Sequence, residues 1–408
     1  MLIAGLDVSK ADVVVCLIDT DQPLPDPREL YLTGNFPRLT TTAGGLKALL
    51  ELKPDVCVLE PTGTNYSKFW CYKLNQAGVK LLLVSHSKVR RYRECILSED
   101  KDDEGDSLAL AYYGVQNFKN DGAFLRRRDD VAQQMRERCH QLDHLSRIQS
   151  PIINRLKQDL AWQFPEEASK RVEAVLFWRW LAGEAKSKRY DNALANTCGL
   201  GLTESTRYHA RLLIQLFPRQ LQLTRELATL LKDPRFRPYR KVFAKYGFGE
   251  KLEAILISHI YPLSNFLGED GLPIAPCTRS KKDPKKQTVK HLSLRRFQKT
   301  LGCSPTREWS GKKNKGSKQA KLAGSAQCRV GLWQWLFTRI EKKGARPKNL
   351  PQTAWLVSET LVQGSILEYF EYQKSTAVIK LARSRTIAKV TKLLFYDLVA
   401  ELSPDSQK

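Results

Sequence analysis

No apolar run in this sequence reaches the roughly 18 residues that a membrane-crossing helix requires. The N-terminus also lacks the charged, apolar and small-residue succession of a secretory leader. Cysteine pairs are missing too. The nine cysteines (Cys16, Cys57, Cys71, Cys95, Cys139, Cys198, Cys277, Cys303 and Cys328) stand singly, with no Cys-x-x-Cys among them. That argues against a zinc ribbon and a secreted disulfide framework, and suits the reducing cytoplasm. Negative charge is scarce: 43 Asp and Glu stand against 67 Lys and Arg.

What is present follows from that imbalance. A formal net charge of +24 points to a polyanionic partner, most commonly nucleic acid. At 408 residues the chain is too long for one ordinary core, so two or three domains are expected. With 42% hydrophobic residues it has enough apolar surface to build them.

Against this basic background, Ser98–Asp106 packs six carboxylates into nine residues. Like charges so close repel unless a cation or a solvated loop relieves them. The flanking sequence supplies further acids. Leu2–Leu6 is an apolar run ending at Asp7, and Val13–Ile18 and Glu29–Thr33 read as second and third strands. Thr41–Leu52 reads as a helix, and strand Asp55–Leu59 delivers Glu60 at its end. A helix from about Asn65 to Ala77 leads to strand Lys80–Val84. The order βββαβαβ describes an α/β layer whose strand ends converge on one edge. A helix starting near Asp103 puts Asp103 and Asp106 on one face. With Asp7 and Glu60 they form an oxygen donor set suited to Mg²⁺ or Mn²⁺.

The second half is mostly helical by pattern. Apolar residues from Val131 to Leu160 recur every three or four positions, with Pro151 inside, and Glu204–Leu231 repeats the pattern. The pair reads as an antiparallel hairpin, a helical bundle or a coiled-coil arm that dimerises. Tyr246-Gly247-Phe248-Gly249 resembles a hairpin that approaches a phosphate backbone. Between Arg279 and Lys321 there are 15 Lys or Arg against two acids. Arg295, Arg296, Lys312, Lys313 and Lys315 therefore read, with Gly247 and Gly249, as a nucleic-acid-binding surface. Trp309-Ser310-Gly311 exposes a hydroxyl at a turn, and Pro351–Leu402 reads as a helical tail. An acidic pocket beside a basic surface suggests metal-assisted phosphodiester chemistry. The rivals are a simple nuclease, a non-catalytic nucleic-acid binder and an actin-like sugar kinase. Val8 stands where the last would need glycine.

Three motifs resemble those of the DEDD-type insertion-sequence transposases, relatives of the Piv invertase that are also described as bridge-RNA-guided recombinases. They are Gly5-Leu6-Asp7-Val8-Ser9-Lys10, Glu60-Pro61-Thr62-Gly63-Thr64-Asn65-Tyr66 and Lys101-Asp102-Asp103-Glu104-Gly105-Asp106-Ser107-Leu108-Ala109. Tyr246–Gly249, Gly302-x-x-Pro305, Ser310-Gly311, Gly324 and Arg329 extend the likeness. The resemblance implies an α/β RuvC-like, ribonuclease H-type N-terminal domain over residues 1–125, with Asp7, Glu60, Asp103 and Asp106 as Mg²⁺ (or Mn²⁺) ligands. It implies a coiled-coil arm over 126–235, interrupted at about 166–203, and a mostly α transposase domain over 236–345, ahead of the tail at 346–408. Ser310 would attack a DNA phosphate to form a phosphoserine intermediate. Donor and target DNA, a noncoding guide RNA and a homo-oligomer (dimer or tetramer) are the implied partners, with a cytoplasmic, nucleoid-associated location. The family has Thr where this chain has Asp102, so Asp102 rivals Asp103 as a ligand. Ser304, Ser317 and Ser325 rival Ser310.

Overall fold

The computed structural model describes residues 1–61, 65–97, 102–125, 129–168, 175–279, 287–305 and 322–403. The chain divides into two compact units, Met1–Arg127 and Arg128–Lys408.

The first unit runs β1 (Leu2–Val8), β2 (Asp12–Asp19), α1 (Pro27–Thr33), β3 (Arg38–Thr40), α2 (Ala43–Glu51), β4 (Val56–Leu59), α3 (Tyr66–Gln76), β5 (Lys80–Leu83), α4 (His86–Ile96) and α5 (Asp103–Asn117). Its five strands form one sheet in the order β3-β2-β1-β4-β5. β2 pairs antiparallel with β1 and with β3, whereas β4 runs parallel to both β1 and β5. Five strands were expected and five are found, but the third is not the one read from sequence. Glu29–Thr33 belongs to α1, because Asp26 accepts hydrogen bonds from the Arg28 and Glu29 amides and Pro27 opens the first turn. β3 is Arg38–Thr40 instead, and α4 is a helix the apolar pattern did not announce.

Strand residues alternate between the two sheet faces. Ala4, Leu6, Val8, Cys57 and Leu59 pack with Leu49, Trp70 and Leu74, two of which come from α3. Ile3, Val56 and Val58 pack on the other side with Val89 of α4 and with Ala109, Leu110 and Tyr113 of α5. Each such fully buried apolar side chain contributes roughly 1.5–3 kcal/mol, so both faces must be covered for the sheet to persist. The result is a three-layer α/β unit, compatible with a RuvC-like domain.

The second unit is mostly helical. α6 (Asp130–Gln163) is followed by α7 (Pro165–Ala168), α8 (Val175–Leu181), α9 (Lys188–Ala195) and α10 (Glu204–Leu230). α6 and α10 run antiparallel: Gln163 bonds Thr203 near one end, Gln149 pairs with Gln220, and Arg138 reaches Glu226 near the other. The insertion between them has its own aromatic centre of Phe177, Trp180 and Tyr190, packed on Leu160 and Leu213.

Next come α11 (Arg237–Tyr246), α12 (Glu250–Ile260), β6 (Cys277–Arg279), β7 (Gln287–Val289), α13 (Leu292–Thr300), β8 (Ser304–Pro305), β9 (Leu322–Ala323) and α14 (Ala326–Trp335). The chain ends with β10 (Gln352–Val357), β11 (Thr360–Ser365), α15 (Ile366–Thr376) and α16 (Ile379–Leu402). One expectation is corrected here. The tail is not wholly helical, because β10 and β11 form an antiparallel hairpin in which Trp355 pairs with Val362. The Gly-x-Gly hairpin expected before an apolar helix is a turn between two helices: Gly247 closes α11 and Gly249 opens α12, with Phe248 buried between them. Phe370 and Phe395 of the tail share one core with Tyr246, Phe297 and Trp335.

Candidate active site

The sheet's alternation decides where the first acids lie. Ile3 faces α5, so Gly5 and Asp7, two and four residues on, share that face. β1 and β4 are paired in parallel through Leu6 and Leu59, so Asp7 and Glu60 follow side by side at the strands' carboxyl ends. Glu60 falls on the same face as Val56 and Val58.

The direction of α5 supplies the rest. A Cβ on Gly5 would lie 2.0 Å from the Ser107 carbonyl oxygen and 2.4 Å from the Ala111 nitrogen. Only glycine lets the helix backbone sit this close to β1. A Cβ on Gly114, one helical turn nearer the helix end, would meet Val58 at 2.6 Å and Ile3 at 3.2 Å. The helix therefore runs antiparallel to β1, and its first turn, with Asp103 and Asp106, lies toward the strand end that carries Asp7. Sequence positions about fifty residues apart are thus brought to one edge of one sheet face.

At that edge, cationic side chains from the same unit hold the acids. Arg93 of α4 donates from Nη1 to Asp106 Oδ1 at 2.5 Å, with the arginine side chain only 5% exposed. Arg38 of β3 donates from Nη2 to Asp103 Oδ2 at 2.9 Å and from Nη1 to Asp12 Oδ2 at 3.2 Å. His86, the first residue of α4, places Nδ1 3.1 Å from Glu60 Oε2. Asp12 is held below the usual carboxylate range, first by the hydrogen bond from the Ser9 hydroxyl and then by Arg38. Arg38 is raised above its ordinary value by its bonds to Asp103 and Asp12.

Asp102 has a different task. It caps α5, its Oδ1 accepting from the Gly105 amide at 2.6 Å while the Tyr31 hydroxyl donates to Oδ2. One of its oxygens serves the helix start and the other ties it to α1, whereas Asp103 and Asp106 belong to the first turn of α5. Among the described residues, no three or more His, Cys, Asp or Glu side chains are grouped to hold a metal ion. The donor chemistry of Asp7, Glu60, Asp103 and Asp106 still fits a hard divalent cation. Arginine and histidine nitrogens are the partners that three of these carboxylates have here.

Residues 4–165 match the family model of the IS110-type DEDD transposases, described as Transposase. The matched stretch is less than half of the chain, and it is similar to an IS110-type DEDD transposase. The match supports an insertion-sequence transposase, a class that cuts DNA and usually uses a divalent metal. No curated protein matches the chain. No helix among the described residues is long and apolar enough to cross a membrane.

The second set of sequence-predicted residues lies in the other unit. Ser310, Lys312, Lys313, Lys315 and the rival Ser317 fall outside the described residues. The frame on either side is described. Ser304 pairs with Ala323 across the short β8–β9 ladder. Gly302 (φ 74°) and Gly324 (φ 87°) are both left-handed, and a Cβ on Gly324 would lie 1.6 Å from the Lys299 carbonyl oxygen. Arg329 donates to the Gly302 carbonyl oxygen at 3.3 Å. Ser325 is committed as the cap of α14, accepting from the Cys328 amide at 3.1 Å. Arg295 and Arg296 are exposed on α13, while Leu294 and Phe297 anchor that helix in the core.

Sequence reading missed Arg38, Arg93 and His86. A faint signal existed for Arg93: it follows Val89 by four positions, so it occupies the inward face of α4.

Proposed function

We propose that the protein is a DNA transposase/recombinase that cuts and rejoins DNA strands through a phosphoserine formed on Ser310, with Asp7, Glu60, Asp103 and Asp106 as its DEDD metal ligands. The observation that carries this reading is the arrangement of strands β1 and β4 and the head of α5, which brings these four acids to one edge in a unit that matches the transposase family. In this reading the four carboxylates hold Mg²⁺ or Mn²⁺. Bound there, the cation supplies Lewis-acid stabilisation of charge developing on a phosphate.

The chain's own residues do the remaining work. The Ser310 Oγ forms a bond to phosphorus as the bond from phosphorus to one deoxyribose oxygen breaks. The seryl proton passes to a base or to water, and the released sugar oxygen takes up a proton. A hydroxyl from the incoming strand later attacks the phosphoserine and returns the serine. One phosphoester replaces another at each step, so rejoining needs no external nucleotide. Arg295, Arg296, Lys312, Lys313 and Lys315 hold the strand by phosphate contacts. Gly247 and Gly249 lie in the α11–α12 turn, and we assign that turn to backbone contact with nucleic acid. A noncoding RNA guide and assembly of two or four copies through the α6–α10 arm complete the proposal.

The test combines purified protein, the nucleic acid that copurifies with it, and donor and target DNA. Wild type is expected to yield recombinant joints and a serine-linked strand. Asp7→Ala and Ser310→Ala should each abolish joints while retaining nucleic-acid binding. Full strand exchange by Ser310→Ala would sink the serine assignment, and cleavage without joining would favour a nuclease.

A further inference from the structure

The cations at the acidic edge are not equivalent. Arg93 is enclosed, with its side chain 5% exposed and Asp106 at 16%. Arg38 lies on β3, the edge strand of the sheet, with its side chain 51% exposed and Asp103 at 49%. An exposed pair is held by little net free energy, since water solvates both ions well when they part. Arg38 is also dispensable to its second partner, because the Ser9 hydroxyl donates to Asp12 at 2.5 Å. A guanidinium that leaves these carboxylates presents a planar fork suited to phosphate oxygens.

We propose that Arg38 is the exchangeable counter-ion of the DEDD edge. It holds Asp103 until a divalent cation takes that carboxylate, and it then turns to a phosphate of the bound strand. This assignment rests on the metal-dependent DNA chemistry proposed above. It makes Arg38 a positioning residue for the substrate and couples metal loading to strand binding.

Calorimetric titration of the full chain with Mn²⁺ alone tests the first half. Arg38→Ala should bind Mn²⁺ about fivefold more tightly than wild type, as release of a surface ion pair allows, and Arg38→Gln should move the same way. A purely structural role for Arg38 predicts weaker binding in both variants. Unchanged or weaker Mn²⁺ affinity in both, with wild type binding Mn²⁺, overturns the proposal and leaves the metal reading standing. Absence of Mn²⁺ binding in all three proteins overturns both. The second half is read from DNA affinity as a function of salt, with Ca²⁺ present. Arg38→Ala should lower the salt slope by about one phosphate contact. An unchanged slope overturns the phosphate assignment.

Discussion

Two arginine–aspartate pairs stand three residues apart on the first turn of α5, and they differ in nearly everything except chemistry. Arg93–Asp106 is short and enclosed, whereas Arg38–Asp103 is longer and about half exposed. The enclosed pair cannot be given up singly, because either ion left alone would sit in a poorly solvated place. The exposed pair can part and re-form with water, metal or phosphate as alternatives. Burial rather than charge separates a fixed counter-ion from an exchangeable one.

The comparison can be broken most forcefully at Arg93. Arg93→Ala is expected to cost about 3–5 kcal/mol by denaturant unfolding, the usual penalty for stranding one half of a buried pair. Adding Asp106→Asn should recover much of it. A cost below about 1 kcal/mol would place Arg93 in the same class as Arg38.

Gly5→Ala comes next. The new methyl has to displace the α5 backbone, an overpacking expected to cost about 1–3 kcal/mol. Because it moves the helix and not an ion pair, it should lower stability with or without Mn²⁺.

A smaller effect is expected with acid. Asp12 is held below its ordinary 3.8 by Ser9 and Arg38, so its contribution is complete above that value and is lost as pH falls through the folded value. The thermal midpoints of wild type and Asp12→Asn should therefore begin to converge below about pH 4 and meet only below the folded value. The smallest change is that of Arg38→Ala, which should cost no more than about 1 kcal/mol by denaturant unfolding at neutral pH, since screening leaves an exposed pair little weight.

Much of this edge was legible in the sequence. Short apolar runs located β1 and β4, and residues at their ends are local events that need no tertiary knowledge. The start of α5 was legible for the same reason. The partners of the acids were not, because Arg38 lies 65 residues from Asp103 and their meeting depends on the strand order β3-β2-β1. A strand was expected where α1 stands because of the short apolar run within residues 29–33, which the Asp26-Pro27 cap outweighed. The β10–β11 hairpin was hidden by reading the tail for helical spacing alone. The assignment of Asp102 turned on capping: one hydrogen bond to the Gly105 amide gives that carboxylate a local use.

The close seat of α5 on β1 also bears on motion. Residues Ser107–Gly114 are all buried, so their amides should be among the slowest in this unit to exchange with deuterium, opening only when the sheet does. Asp103 and Asp106 ride on the end of that slow-exchanging segment. Rearrangement at the acidic edge therefore falls to what surrounds the helix: the three-residue strand that carries Arg38, and the residues leading from β5 into α4. The acids and the enclosed Arg93 are the fixed reference, and Arg38 is the counter-ion with room to move.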